Sequence, residues 1–141
     1  MPMTEEAIRV QLACQALVTR YCHDIDLGRA AAIADLFTVD GVWESPEQRL
    51  DGQQAIRDVF ARRQASARRS RHVCSTFALS DITADSARGV TYFTLYRTDE
   101  PGDGVAKLLG PTMVGHYEDT FSRTDDGWRI AHRLAVPAFV F

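Results

Sequence analysis

The hydrophobic period of this chain changes once, near Arg71, from the three-to-four spacing of amphipathic helices to the two-residue alternation of strands. That switch restricts the fold to helices first and an antiparallel meander after, an α+β domain whose helices cover one face of a strongly curved sheet. Before the switch, Val10, Cys14, Leu17 and Tyr21 recur at steps of four and three, which stacks them on one face of a helix over residues 4–25. Thr4 suits its N-cap, Glu5 and Glu6 suit the positive end of its dipole, and Leu27-Gly28 ends it. A short second helix is expected from Arg29 to Phe37, burying Ile33, Leu36 and Phe37, before Asp40-Gly41 turns the chain into a brief strand, Val42-Trp43-Glu44. Asp51-Gly52-Gln53-Gln54 resembles a capping box that opens a third helix with Ile56, Val59 and Phe60 inward.

After the switch, the segments 72–84, 87–98, 110–123 and 127–140 read as strands, separated by the turn signals Asp85-Ser86, Pro101-Gly102-Asp103-Gly104 and Asp125-Asp126-Gly127. Several carry apolar residues on both alternating sets, as in Val90-Tyr92 beside Phe93-Leu95. Both sheet faces are therefore expected to be covered, one by helices and a cavity, the other by a second subunit. The apolar tail Val136-Pro137-Ala138-Phe139-Val140-Phe141 fits burial in a homodimer interface or a last strand packed within its own subunit.

At 141 residues the chain reads as a single domain, 1–141, large enough to bury a core of its own. A net charge of -3 argues against a nucleic-acid partner, whose footprint would be strongly basic. Arg57, Arg62, Arg63, Arg68, Arg69 and Arg71 crowd one segment, read here as a solvated helix face rather than an anion-binding patch. Cys14, Cys22 and Cys74 show neither a disulfide framework nor ligand-like grouping. The start, MPMTEEAIRV, has acids where a signal peptide needs basic residues, and no run reaches the roughly 18 apolar residues of a membrane span. The expectation is a cytoplasmic protein with reduced thiols and no membrane contact.

His72 opens the first long strand, with Cys74 and Thr76 on its side and Val73, Ser75 and Phe77 on the other. Its ordinary pKa, roughly 6.5, suits a general base near neutral pH, and a carboxylate on its second ring nitrogen would fix the tautomer. Tyr21, on the buried helix stripe, is either core or a donor to a substrate oxygen. His23 and Asp24 fall on other helix faces and read as solvated. Trp43, Phe60, Tyr92 and Tyr96 are candidates to border a substrate pocket. His116 and Glu118 share one strand face and are carried as pocket candidates, while Tyr117 and Asp119 share the opposite face; only one of these pairs can line the cavity. His132 alternates with Trp128 and Ile130 as a core or interface residue. No HExxH, GxSxG, GxGxxG or Walker pattern is present, so neither metal nor organic cofactor is expected.

The runs Arg20-Tyr21-Cys22-His23-Asp24-Ile25-Asp26-Leu27-Gly28, Leu36-Phe37-Thr38-Val39-Asp40-Gly41-Val42-Trp43, Asp51-Gly52-Gln53-Gln54-Ala55-Ile56, Arg71-His72 and Asp126-Gly127-Trp128-Arg129-Ile130 together resemble the SnoaL-like branch of the nuclear transport factor two-like, cystatin-like superfamily. The resemblance spans nearly the whole chain and implies three N-terminal helices on a mainly antiparallel sheet that forms a cone-shaped cavity. In site pattern the chain is similar to the scytalone dehydratase and bile acid 7α-dehydratase members. Their likeness implies a catalytic set of Tyr21, Asp26 and His72, with Asp26 orienting His72. The general-base aspartate of the steroid-isomerase members falls at Ser45, with Glu44 beside it. The implied activity is a cofactor-independent, dehydratase-type lyase acting on a small cyclic, largely apolar substrate. Isomerase or polyketide-type cyclase chemistry with the same dyad is the near alternative, and a non-catalytic ligand-binding or interaction domain the distant one. The discriminating geometry is a His72 imidazole and Asp26 carboxylate about 2.6–3.2 Å apart inside an accessible cavity.

Overall fold

In the computed structural model, which describes residues 3–141, the helices end at Ala65 and the long strands begin at Arg69, close to the period switch of the sequence. The order is α1 (Glu5–Asp26), a 3₁₀ helix (Ala30–Leu36), β1 (Phe37–Glu44), β2 (Arg49–Asp51), α2 (Gln53–Ala65), β3 (Arg69–Ser80), β4 (Ser86–Thr98), β5 (Met113–Thr124) and β6 (Gly127–Val140). The strands form one curved, open, six-stranded sheet in the order β2-β1-β6-β5-β4-β3. Only the β1–β6 pairing is parallel. The helices pack on one face of this sheet, so the chain has the cystatin-like α+β architecture expected from its sequence.

Helix α1 forms as its caps dictate. The Thr4 hydroxyl accepts from the Ala7 amide at 3.1 Å, and Gly28, at φ 88°, follows the C-terminus in the left-handed conformation that glycine adopts without strain. Its buried stripe holds Val10, Cys14, Leu17 and Tyr21, widened by Val18, Cys22 and Ile25. Against it lie Ile33, Phe37, Ile56, Phe121 and Ile130, all almost fully buried.

Three local expectations fail, each for an identifiable reason. Asp40-Gly41 is no turn but part of β1, at the irregularity where pairing with β6 jumps from Phe37 to Val42. The cap of α2 is Gly52 with no side-chain bond, because Asp51 instead belongs to β2 and accepts from Arg49 at 2.9 Å. Gln53 turns back and donates to the carbonyls of Ala34 and Phe37, tying the start of α2 to the 3₁₀ helix. Asp24 is buried rather than solvated, held at 3.0 and 3.1 Å by Arg20 and Arg29, whose long stems cover it.

Three bulges change which residues face inward. In β3 the backbone at Thr76 takes φ 55° and the register skips between Ser75 and Ala78, which brings Phe77 to the same side as His72 and Cys74. In β6, Ala131 is an extra residue between the pairs Ile130–Phe121 and His132–Thr120. Ala138 is another, between Pro137–Gly115 and Phe139–Val114. At this second bulge the strands approach so closely that a Cβ on Gly115 would strike the Val136 carbonyl oxygen. The C-terminal tail is the last strand of its own sheet, and it leaves Phe139 and Phe141 exposed, as are Val73, Val90 and Tyr92 of β3 and β4.

Candidate active site

Between the helices and the concave face of the sheet lies a cavity of about 500 Å³. Its walls include Tyr21 from α1, Trp43 from β1, Phe60 from α2, His72 from β3 and Phe93 from β4. Asp26 sits where α1 ends, and its carboxylate turns back over β3. There it accepts three hydrogen bonds, each 2.7 Å long, from the His72 ring Nδ1, the His72 backbone amide and the Ser70 hydroxyl. Burial alone would raise the Asp26 pKa, but the hydrogen bonds and charge of His72, with Ser70 behind, outweigh it and hold the carboxyl below the ordinary 3.8. An ionised Asp26 can only accept, so Nδ1 carries the proton and Nε2 presents its lone pair. His72 lines the cavity with a side chain 10% exposed, within the distance range a proton-abstracting dyad requires.

Ser70 extends the chain of contacts. Its hydroxyl, used as donor to Asp26, accepts from Arg63 Nη2 at 2.9 Å, while Arg63 Nη1 donates to the Arg68 carbonyl at 2.7 Å. The sequence reading missed Ser70 because it began the strand at His72; started at Arg69, the two-residue alternation puts Ser70 on the face of His72.

Tyr21 is 1% exposed at the cavity wall and accepts from Trp43 Nε1 at 2.8 Å, which leaves its own proton to donate. Burial pushes its pKa up to about 12, against the lowering influence of the Arg133 charge, so the phenol stays protonated. Its ring meets His72 edge-on, with centroids 6.3 Å apart. Beneath it the Arg133 guanidinium lies in the corner between the Tyr21 and Tyr117 rings, which meet at 72°, its Cζ 4.2 and 4.0 Å from the two ring centroids. Arg133 also forms a fully buried, bidentate pair with Asp119, both contacts 2.8 Å. Nothing in the sequence pattern marked Arg133, because counting on by twos from Trp128 and Ile130 sends it outward. The bulge at Ala131 turns it in.

The bulges and register also decide the pocket candidates. Trp43 and Phe60 line the cavity and meet edge to face at 5.6 Å. Tyr92, Tyr96, His116 and Glu118 do not, which corrects the expectation for these four. Phe93, Leu95 and Arg97 hold the inward positions of β4, as Gly115, Tyr117 and Asp119 do in β5, so their neighbours point to the outer face. His116 and Glu118 meet there at 3.5 Å. Ser45 lines the cavity, whereas Glu44 is taken up by His132 at 2.9 Å and Arg49 at 3.3 Å, away from it. The arginine-rich segment is not wholly a solvated face, since Arg63 and Arg68 reach the cavity wall. All three cysteines are free thiols, with Cys22 and Cys74 in sulfur contact at 3.3 Å behind His72. Among the described residues no three His, Cys, Asp or Glu side chains gather as metal ligands would, and no helix is long and apolar enough to cross a membrane.

A fold of this shape around a ligand-sized cavity defines a class of small-molecule-binding α+β proteins. The chain belongs to the SnoaL-like domain family, whose model matches residues 6–134. Among solved structures it is similar to the function-unknown protein Rv3472 of Mycobacterium tuberculosis, at 27% identity and TM-score 0.78, covering 99% of this chain and 78% of that one. It is also similar to two Novosphingobium aromaticivorans proteins. One is a candidate aromatic ring hydroxylase, at 24% identity and TM-score 0.81 over 94% and 91% of the two chains. The other is a candidate scytalone dehydratase, at 17% identity and TM-score 0.83 over 99% and 91%. No curated protein matches the sequence significantly.

Proposed function

We propose that this protein is a cofactor-independent lyase of the dehydratase type, acting on a small cyclic, largely apolar substrate. The observation that carries the reading is the 2.7 Å contact between Asp26 and His72 Nδ1 at the wall of a 500 Å³ cavity. His72 Nε2 removes a proton from a carbon next to a carbonyl or ring activating group, and Asp26 stabilises the imidazolium that results. Tyr21 donates to the departing hydroxyl, which leaves as water once the proton held on His72 is passed to it. The substrate loses one hydrogen and one hydroxyl, and the protein ends as it began. Aromatic and aliphatic walls at Trp43, Phe60, Phe93 and Leu95 suit a ring and shelter the transfer from water. The likeness to a candidate scytalone dehydratase points the same way.

The test is a panel of cyclic β-hydroxy ketones in D₂O, followed by proton NMR for alkene formation and for deuterium entry next to the carbonyl. Alkene formation is expected, with a loss of at least about 100-fold in His72→Ala, the scale of a missing general base. Undiminished turnover in a folded His72→Ala protein would overturn the mechanism. Deuterium entry and double-bond migration without loss of water would make the same dyad that of an isomerase.

A further inference from the structure

Where the inward row of β4 continues past Phe93 and Leu95 to Arg97, the cavity carries a concentration of positive charge that the proposed elimination does not use. Arg63, Arg68 and Arg97 all line it, against Glu47 as the one acid among the lining residues. Their engagement differs. Arg63 is committed to Ser70 and the Arg68 carbonyl, and so serves to hold Ser70 in place. Arg68 spends Nε and Nη2 on Asp99, at 2.6 and 3.1 Å, and keeps Nη1. Arg97 is half-buried, and among the described residues its side chain has no hydrogen-bond or ion-pair partner. A guanidinium carries five donors, and Asp99, the one carboxylate that feels the charges of Arg68, Arg97 and Arg63, is hydrogen-bonded by Arg68 alone, so donors remain for a further anion. Burial and the Arg68 charge already lower the pKa of Arg63.

Register fixes where such an anion would sit. Arg97 pairs across the strands with Ser70, and Leu95 pairs with His72, so Arg97 stands two residues along the sheet from the dyad. Two residues of strand span about 7 Å, roughly the length of a six-membered ring with its substituents. Resting on the reading of His72 as the base, we propose that the substrate is a cyclic carboxylic acid. Its carboxylate is gripped by Arg97 and Arg68 Nη1 while the reacting carbon lies one ring away at His72 Nε2. The arginines set which molecules enter and how they are oriented; the dyad moves the proton.

Isothermal titration with 2-naphthoate and its neutral isostere 2-naphthamide tests this without turnover. In low-salt buffer the native protein is expected to bind the carboxylate at least about tenfold more tightly, the scale of a charge-assisted bond, and added salt should shrink the preference. Arg97→Gln should abolish the preference while leaving the 2-naphthamide affinity within about twofold, which also reports an intact cavity. Arg88→Gln, on the exposed outer face of β4, should change neither affinity. Equal affinities in the native protein, no 2-naphthoate binding up to about 1 mM, or a preference that survives Arg97→Gln would each overturn the proposal. His72→Gln should keep the preference. An anion preference in a protein that eliminates water from no substrate would therefore refute the dehydratase reading alone, and turnover without the preference would refute the anion site alone.

Discussion

The two ends of the cavity treat charge in opposite ways. At the deep end the charged groups are buried and paired: Asp26 accepts three hydrogen bonds, and Arg133 and Asp119 hold each other through two contacts with no exposed side-chain surface, Arg133 Nη1 alone finding no partner among the described residues. At the rim, Asp99 is 66% exposed, Arg68 is half engaged and Arg97 is unengaged. Low dielectric makes the deep contacts strong and rigid, whereas the rim is screened by water and salt. In the proposed reaction the contrast divides the labour: geometry is fixed in advance where the proton would move, and donors are left open where the substrate would be recognised.

Breaking the deep end should cost most. Asp119→Ala strands the Arg133 charge under two tyrosine rings and should lower stability by about 3–5 kcal/mol in urea denaturation. A loss under about 1 kcal/mol would mean that the two ends do not differ as their burial says. Next, Asp26→Asn keeps the shape but lets His72 adopt the wrong tautomer, and turnover should fall by at least about 100-fold. The same variant sharpens the comparison through pH. The folded-state pKa of Asp26 lies below 3.8, so its stabilisation is complete above about pH 4 and is lost as pH falls through the folded value. The acid limb of the native protein's melting-temperature profile should therefore be steeper than that of Asp26→Asn. The smallest effect is expected at the rim. Asp99→Ala removes an exposed ion pair and should change stability by less than about 1 kcal/mol, within the range of surface pairs.

Much of this was legible before the fold was known, and what was hidden has a common cause. Periodicity alone located α1, the switch to strands and the inward stripe through Tyr21, because helix and strand spacing are local properties of the chain. The Asp26–His72 contact came from resemblance to a family rather than from spacing, since 46 residues separate the partners. Errors gather where the two-residue rule is interrupted. Phe77 and Arg133 each lie just beyond a bulge, and a bulge depends on the partner strand rather than on its own residues. Tyr92, Tyr96, His116 and Glu118 were misplaced for a simpler reason: strands β4 and β5 are apolar enough on both faces that either could have turned inward, and one choice decides both, because Tyr92 pairs with His116.

The extra residue at Ala131 has an effect on how the protein responds to acidity. Were β6 paired regularly from Ile130 onward, His132 rather than Arg133 would stand across from Asp119. A histidine there would gain or lose its charge within the pH range of living cells, and the packing under Tyr21 would change with it. The inserted alanine places a permanently charged guanidinium in the interior and leaves His132 with Glu44 outside the cavity. Near neutrality the foundation of the site is thus insulated from the medium, and among the described residues His72 is the one imidazole in the cavity wall.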